Sequence, residues 1–347
     1  MRLVLMGTGP FAVPSFETLR CDGHEIACVI TRPEVQAVSK KGPPPSPVRL
    51  WAVEHGLEHL SPESINSEGA IELVKSMSPD LLVVCDYGQI LSNQALETAR
   101  WGGINLHGSL LPRHRGAAPV QWSILSGDEI AGVSVIHMTP GLDAGPVIRY
   151  DSTPIDPREN AGELEQRLSQ LGVETVRQSL LLLETSNGST GNPQDKSLTT
   201  KAPRLSKADG QIQCEYPVRL LDRQLRGLQP WPGCFCEFES SAGNRFRVIV
   251  QKGAPIECDI GSHSVGSVLF EKDCADGFRL DGDITPELSL VCRDGLFVVE
   301  TIQVAGKKSM SAEEFVRGYS KNGPYRVVSA TTSTTLLETM IKREPAS

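Results

Sequence analysis

The chain has 347 residues, 39% of them hydrophobic and 22% charged, with a formal net charge of -8. That length suits two domains with at least one large core, and no apolar run approaches the roughly 18 residues of a membrane span. The acidic balance excludes a protein that coats nucleic acid non-specifically but leaves room for a local basic patch.

In chain order, Arg2–Met6 reads as a first strand rather than a signal core, because Gly7, Thr8, Gly9 and Pro10 follow at once without a small-residue cleavage site. Strand-like runs recur at Glu25–Thr31, Asp80–Cys85, Gly103–His107 and Gly132–Met138, separated by helical stretches. The continuous apolar run Leu81–Val84 suits a strand covered on both faces, which predicts an α/β, Rossmann-like, doubly wound parallel sheet. Ligands on such sheets bind beyond the carboxyl ends of the strands. Asn160 is a suitable N-cap for a long helix whose apolar stripe is Leu164, Leu168, Leu171, Val176, Leu180 and Leu183. The turn-rich stretch Ser186–Pro193 marks a boundary. After about Leu205 the texture changes to short alternating runs, Cys234–Phe238, Arg245–Val250, Ser289–Cys292 and Leu296–Thr301, which predicts a smaller β-barrel. The expected organisation is a catalytic domain over 1–186, a linker over 187–204, a barrel over 205–328 and a mobile tail over 329–347.

Nine cysteines are scattered along the chain, and the close pair Cys234 and Cys236 lacks C-x-x-C spacing. This argues against a disulfide framework or a structural zinc site. An odd count, with Cys28 and Cys85 inside apolar runs, predicts reduced, buried thiols and a cytoplasmic location.

Two segments carry chemistry. Along Gly103–His107, period-two geometry puts Asn105 and His107 on one face and Ile104 and Leu106 on the other. An unpaired amide or imidazole buried there costs about 1 to 3 kcal/mol, so each requires a partner or a job. The plain alternative is a hydrogen-bonded structural pair. The second segment, Gly132–Met138, leads into a loop with Asp143 among glycines, where an aspartate also serves as a simple turn former. If the two strands run parallel, their carboxyl ends lie side by side, and Asp143 sets the tautomer and charge of His107.

Ser109–Pro119 (SLLPRHRGAAP), Gly127–Asp128 and Thr139–Gly145 (TPGLDAG) resemble the folate-dependent formyltransferases. Pro45–Val48 (PSPV), Gln229–Pro232 (QPWP) and Ala305–Ser311 (AGKKSMS) resemble the branch of that family whose acceptor is methionyl-tRNA. The resemblance runs from residue 1 to about residue 325. It implies a catalytic domain that uses 10-formyltetrahydrofolate as formyl donor and an oligonucleotide-binding-like barrel that helps hold the initiator tRNA, in a monomeric enzyme. It also implies that Asn105, His107 and Asp143 are catalytic and that Ser109, Leu110, Leu111 and Pro112 line the folate site. In such a reaction an amine attacks the formyl carbon and negative charge gathers on its oxygen. Asn105 and a protonated His107 would donate to that oxygen, and losing one such donor typically costs about 100- to 1000-fold. His107 would also shuttle the proton, and no metal is required.

Some positions depart from the family pattern. Val35–Ser39 lacks the arginine usual in a loop that meets the tRNA, leaving Lys40 and Lys41 as the local cations. Asp86 stands where a small residue is usual before Tyr87-Gly88, and Ser92 where a proline is common. Three other readings compete. Gly7–Ala12 fits the G-x-G-x-x-A fingerprint of an NAD(P)-dependent dehydrogenase, although Arg32 and Pro33, not an acid, follow the second strand. Nucleotide-sugar N-formyltransferases share the Asn, His and Asp pattern with a different acceptor, and a catalytically dead tRNA- or folate-binding module would keep the fold alone.

Overall fold

The computed structural model describes residues 1–34, 45–271, 286–328 and 335–343. The expectations about the Val35–Ser39 loop, Lys40 and Lys41 lie outside them, as do residues 329–334 and 344–347 of the tail. The described residues form two compact units. One gathers those of Met1–Val120, Glu129–Ile155 and Glu163–Arg204, the other Gln121–Asp128, Asp156–Gly162 and the chain from Leu205 onward.

The first unit contains β1 (Arg2–Gly7), β2 (Glu25–Ile30), β3 (His59–Leu60), β4 (Leu81–Cys85), β5 (Gly103–His107), β6 (Arg115–Gly116), β7 (Ile130–His137), β8 (Val147–Pro154) and β9 (Lys201–Ala202). Seven of these make one sheet in the order β3-β2-β1-β4-β5-β7-β8. From β3 to β5 every pairing is parallel. All of Leu81–Cys85 is buried, as expected of a strand covered on both faces. One face packs Val4, Met6, Cys28, Ile30, Leu82 and Val84 against Ile65, Val74, Tyr87 and Leu91. Burial pushes the Cys28 thiol up to about 12, so it behaves as an inert core group.

The parallel pattern stops at β5. Strand β7 pairs with it antiparallel, with His107 beside Ser134 and Ile104 beside His137, and β8 is antiparallel to β7. The apolar pattern of β7 reads the same in either direction, so the sequence does not fix its sense, and the connection carries one short helix, Pro119–Leu125. By contrast, the helix Ala161–Thr185 forms as its sequence predicts. Asn160 Oδ1 accepts from the Gly162 backbone at 2.9 Å, and Leu164, Leu168, Val176, Leu180 and Leu183 are buried.

The stretch expected to be a passive linker packs onto the first unit. Asn192 and Val147 exchange two backbone hydrogen bonds of 2.8 Å, and β9 pairs in parallel with β6.

The second unit holds β10 (Cys234–Ser240), β11 (Arg245–Glu257), β12 (Ser267–Phe270), β13 (Leu288–Cys292), β14 (Gly295–Val304), β15 (Ser309–Ser311) and β16 (Tyr325–Val327). The order β11-β10-β16-β12-β13-β14, with β14 paired back to β11, closes an antiparallel barrel of six strands. Register shifts at Val250–Gly253 bend the long β11 so that it reaches both neighbours. Phe238 packs edge-on against Phe246 and Phe315 at 5.9 and 6.0 Å.

Part of the expected mobile tail is a helix, Thr335–Arg343. Leu336, Leu337 and Met340 are buried, and the Arg343 guanidinium lies 4.3 Å from the ring of Trp122. Leu336 and Met340 stand one turn apart and give the helix an apolar edge, a signal that the Ser- and Thr-rich composition obscures. No described helix is long and apolar enough to cross a membrane.

Candidate active site

Asn105 and His107 share one face of β5, as period two requires. Asn105 is half-buried, and its amide has no side-chain hydrogen bond among the described residues. His107 is buried and held from two sides. Its Nε2 lies 3.0 Å from the carbonyl oxygen of His114, which fixes a proton on that nitrogen. Its Nδ1 lies 3.7 Å from Asp143 Oδ1, inside ion-pair range but beyond a direct hydrogen bond.

Asp143 arrives by a route that the expected parallel geometry does not allow. Because β7 runs antiparallel, its carboxyl end lies beside the start of β5, at Ile104. The loop after His137 therefore doubles back along β5 to bring the carboxylate to His107. Two backbone features hold it there. Asp143 takes a left-handed φ of 47°, which aspartate adopts more readily than most residues other than glycine, and its Oδ2 accepts from the Gly116 backbone at 2.9 Å. Gly116 itself has φ 134° and lies so near the Ala202 backbone that any Cβ would collide with it. The carboxylate and the imidazole thus lean on the same short loop, through Gly116 and His114 respectively.

Ser109, Leu110, Leu111 and Pro112 follow β5 directly. The Ser109 hydroxyl is spent inside the loop, donating to the Arg113 carbonyl at 2.7 Å. The buried Ser134 braces the turn from β7, donating to the Ser109 carbonyl at 2.7 Å and accepting from the Leu111 backbone at 3.1 Å. Leu110, Leu111 and Pro112 remain half-buried and offer apolar surface directly after β5. A flat heterocycle with polar edges fits such a surface. His114, Gly116, Ser134 and Thr200 are not legible as site residues in the sequence. Three act through backbone atoms or as braces, and Thr200, whose Oγ1 accepts from the His114 backbone at 2.9 Å, comes from the supposed linker.

The Gly-rich turn after β1 is built differently. Any Cβ on Gly9 would collide with the Asp86 carboxylate, which accepts the Gly9 backbone N–H. Desolvation pushes Asp86 up to about 6, against the pull of that N–H and of Arg32. An anion of the chain's own therefore stands where a dinucleotide's pyrophosphate would need to sit, which disfavours the dehydrogenase reading. Ser92 also has a local job, its Oγ accepting from the Ala95 backbone at 3.2 Å to cap a helix.

Residues 1–180 match the family model described as formyl transferase, and residues 204–320 match that of the formyl transferase C-terminal domain. The chain is 47% identical over 329 residues to a methionyl-tRNA formyltransferase of Rhodopirellula baltica, covering 92% of this chain and 94% of that protein. It is 36% identical over 320 residues to a methionyl-tRNA formyltransferase of Parvibaculum lavamentivorans, covering 92% and 97%. Among solved structures, HypX from Aquifex aeolicus in complex with tetrahydrofolic acid superposes with a TM-score of 0.56 at 15% identity, over 93% of this chain and 48% of that one. WlaRD, a sugar 3N-formyl transferase, gives 0.57 at 14% identity, over 89% and 99%. Those two likenesses establish a shared fold and nothing narrower. The two domain matches and the identities above 30% across nine-tenths of the sequence place this chain in the methionyl-tRNA formyltransferase family.

Proposed function

We propose that the enzyme moves the formyl group of 10-formyltetrahydrofolate onto the free α-amino group of methionyl-tRNA, using Asn105, His107 and Asp143. The observation that carries this reading is the approach of Asp143 Oδ1 to within 3.7 Å of His107 Nδ1, with Asn105 on the same face of β5 and its amide without a hydrogen bond among the described residues. The residues present suit a folate. Leu110, Leu111 and Pro112 would support its ring system, and Asn105 would meet the formyl oxygen. When bound, the folate supplies an electrophilic carbonyl carbon.

Asn105 donates to the formyl oxygen as charge gathers there, in a half-buried setting where a fixed donor acts more strongly than water does. His107 has one nitrogen to offer. Nε2–H is committed to the His114 carbonyl, so Nδ1 would take the proton released by the attacking amine and return it to the donor nitrogen as the bond from that nitrogen to the formyl carbon breaks. Asp143 faces that nitrogen and meets the positive charge of the ring when both nitrogens carry protons. The attacking amine has a reference pKa of about 7.7 to 8.0 and is partly neutral near pH 7, so no strong base is needed to activate it.

The same reading has residues 1–186 carry the chemistry and the barrel of 205–328 help hold the initiator tRNA, in a monomer that works in the cytoplasm. One labelled formyl donor offered with either methionyl-tRNA or a nucleotide-linked amino sugar tests the acceptor. Formylation of the tRNA with little of the sugar is expected. Preference for the sugar would overturn the choice.

A further inference from the structure

The geometry points to Gln194 as a positioning residue that holds Asp143 in register with His107. The inference rests on the catalytic roles proposed above for those two residues. Gln194 stands in the polar stretch after the turn-rich Ser186–Pro193, where composition predicts only a connector. In the structure its half-buried amide is used at both ends. Nε2 donates to the Asp143 carbonyl at 2.9 Å and to the Gly145 carbonyl at 2.7 Å. Oε1 accepts from Arg115 Nε at 3.0 Å and Nη2 at 2.6 Å.

A glutamine amide has two N–H donors and one oxygen with two lone pairs, and all four positions are filled here. No other common side chain presents two donors and a double acceptor at that reach, with asparagine one carbon short. The clamp joins two pieces of the site that the sheet does not connect. On one side is the loop carrying Asp143. On the other is Arg115, between His114, whose carbonyl accepts from His107, and Gly116, whose N–H donates to Asp143 Oδ2. Gln194 thus closes a ring of interactions from His107 through His114, Arg115, Gln194 and Asp143 back to His107.

The ring matters because neither end is held with a margin. Among the described residues the Asp143 carboxylate is anchored by the Gly116 N–H, and its 3.7 Å approach to Nδ1 is near the limit of an ion pair. A displacement of about 1 Å at a reacting group is enough to cost about 100-fold in rate. The Gly116 hydrogen bond alone leaves the carboxylate free to pivot about it. Fixing the carbonyls of Asp143 and Gly145 removes that freedom.

Gln194→Glu is the informative substitution. It keeps the acceptor for Arg115 and the length of the side chain, and it replaces the donor with an oxygen that repels both carbonyls. Formyl transfer to methionyl-tRNA would be measured for this variant, for Gln194→Met and for Asp143→Asn, as kcat and KM across pH, beside a melting curve. The expected result is a kcat about 10- to 100-fold lower in both Gln194 variants, with KM for either substrate changed less than about threefold. The pH profile of kcat should shift toward that of Asp143→Asn. A melting temperature close to the parent's shows that the loss is not one of folding. A parental kcat and pH profile in Gln194→Glu, with Asp143→Asn impaired, would overturn the clamp alone. Rate losses that track melting temperature, with the pH profile unmoved, would also overturn it, as the mark of a merely structural residue. If Asp143→Asn itself were fully active, the fault would lie in the proposed catalytic roles.

Discussion

The turn after β1 and the loop after β5 begin alike, at the carboxyl ends of parallel strands in one sheet, each rich in glycine and each beside an aspartate. They end differently. At the first, the chain satisfies itself, since Asp86 accepts the Gly9 N–H and leaves that donor nothing to offer a ligand. At the second, Ser109, Ser134, His114 and Gly116 are spent on bracing, while the Asn105 amide is left over. Location at a strand end brings polar groups together. Whether they serve a ligand depends on which of them the protein leaves unpaired.

The largest expected effect lies at the second loop. His107→Ala should lower kcat by about 100- to 1000-fold, while leaving the buried His114 carbonyl without its donor should cost stability only about 1 to 3 kcal/mol. A rate within a few-fold of the parent's would return His107 to the class of buried structural histidines. Next, Asp143→Asn should lower kcat by about 10- to 100-fold, which corresponds to the weakening of one charge-assisted interaction in the transition state. Because asparagine still accepts the Gly116 N–H through its amide oxygen, the loop should stay folded. An effect that appears in KM instead of kcat would make Asp143 a binding residue.

At the first loop the expected effect is smaller and concerns stability. A carboxyl raised to about 6 in the folded protein, against an ordinary value near 4, binds its proton more tightly folded than unfolded. Below about pH 4 it is protonated in both states and costs nothing. As pH rises through about 4 to 6 the unfolded state gains by ionising first, and the penalty is complete above about 6. Asp86→Asn should therefore raise the melting temperature at about pH 7.5 and leave it unchanged at about pH 4. Equal gains at both values would mean that the carboxylate is not desolvated.

Much of the first unit is legible in the sequence because its signals are local. The buried run Leu81–Cys85 announces a strand covered on both faces, the Leu stripe after Asn160 announces a long helix, and period two puts Asn105 with His107. Strand direction is not a local property. The residues of β7 alternate or run apolar in the same way whichever way the strand points, so the sequence alone pairs Asp143 with His107 through a parallel geometry that the sheet does not have. The barrel is partly hidden for a related reason. Strands β12 and β16, of four and three residues, carry too few side chains to show a period, and they exist because neighbouring strands supply their hydrogen bonds. Gln194 is invisible because a polar residue in a turn-rich stretch looks solvated until its partners are known.

Asn105 gives the most direct test of the whole account, since its amide has no protein hydrogen bond among the described residues and its removal should disturb nothing but the reaction. The measurement is the single-turnover rate of formyl transfer to methionyl-tRNA by Asn105→Ala, with donor affinity and melting temperature measured in parallel. The expected rate is at least about 100-fold below the parent's, with affinity for the formyl donor within a few-fold and stability unchanged. A rate within about twofold of the parent's would show that the formyl oxygen is stabilised elsewhere, and would contradict the assignment of the reaction to this site.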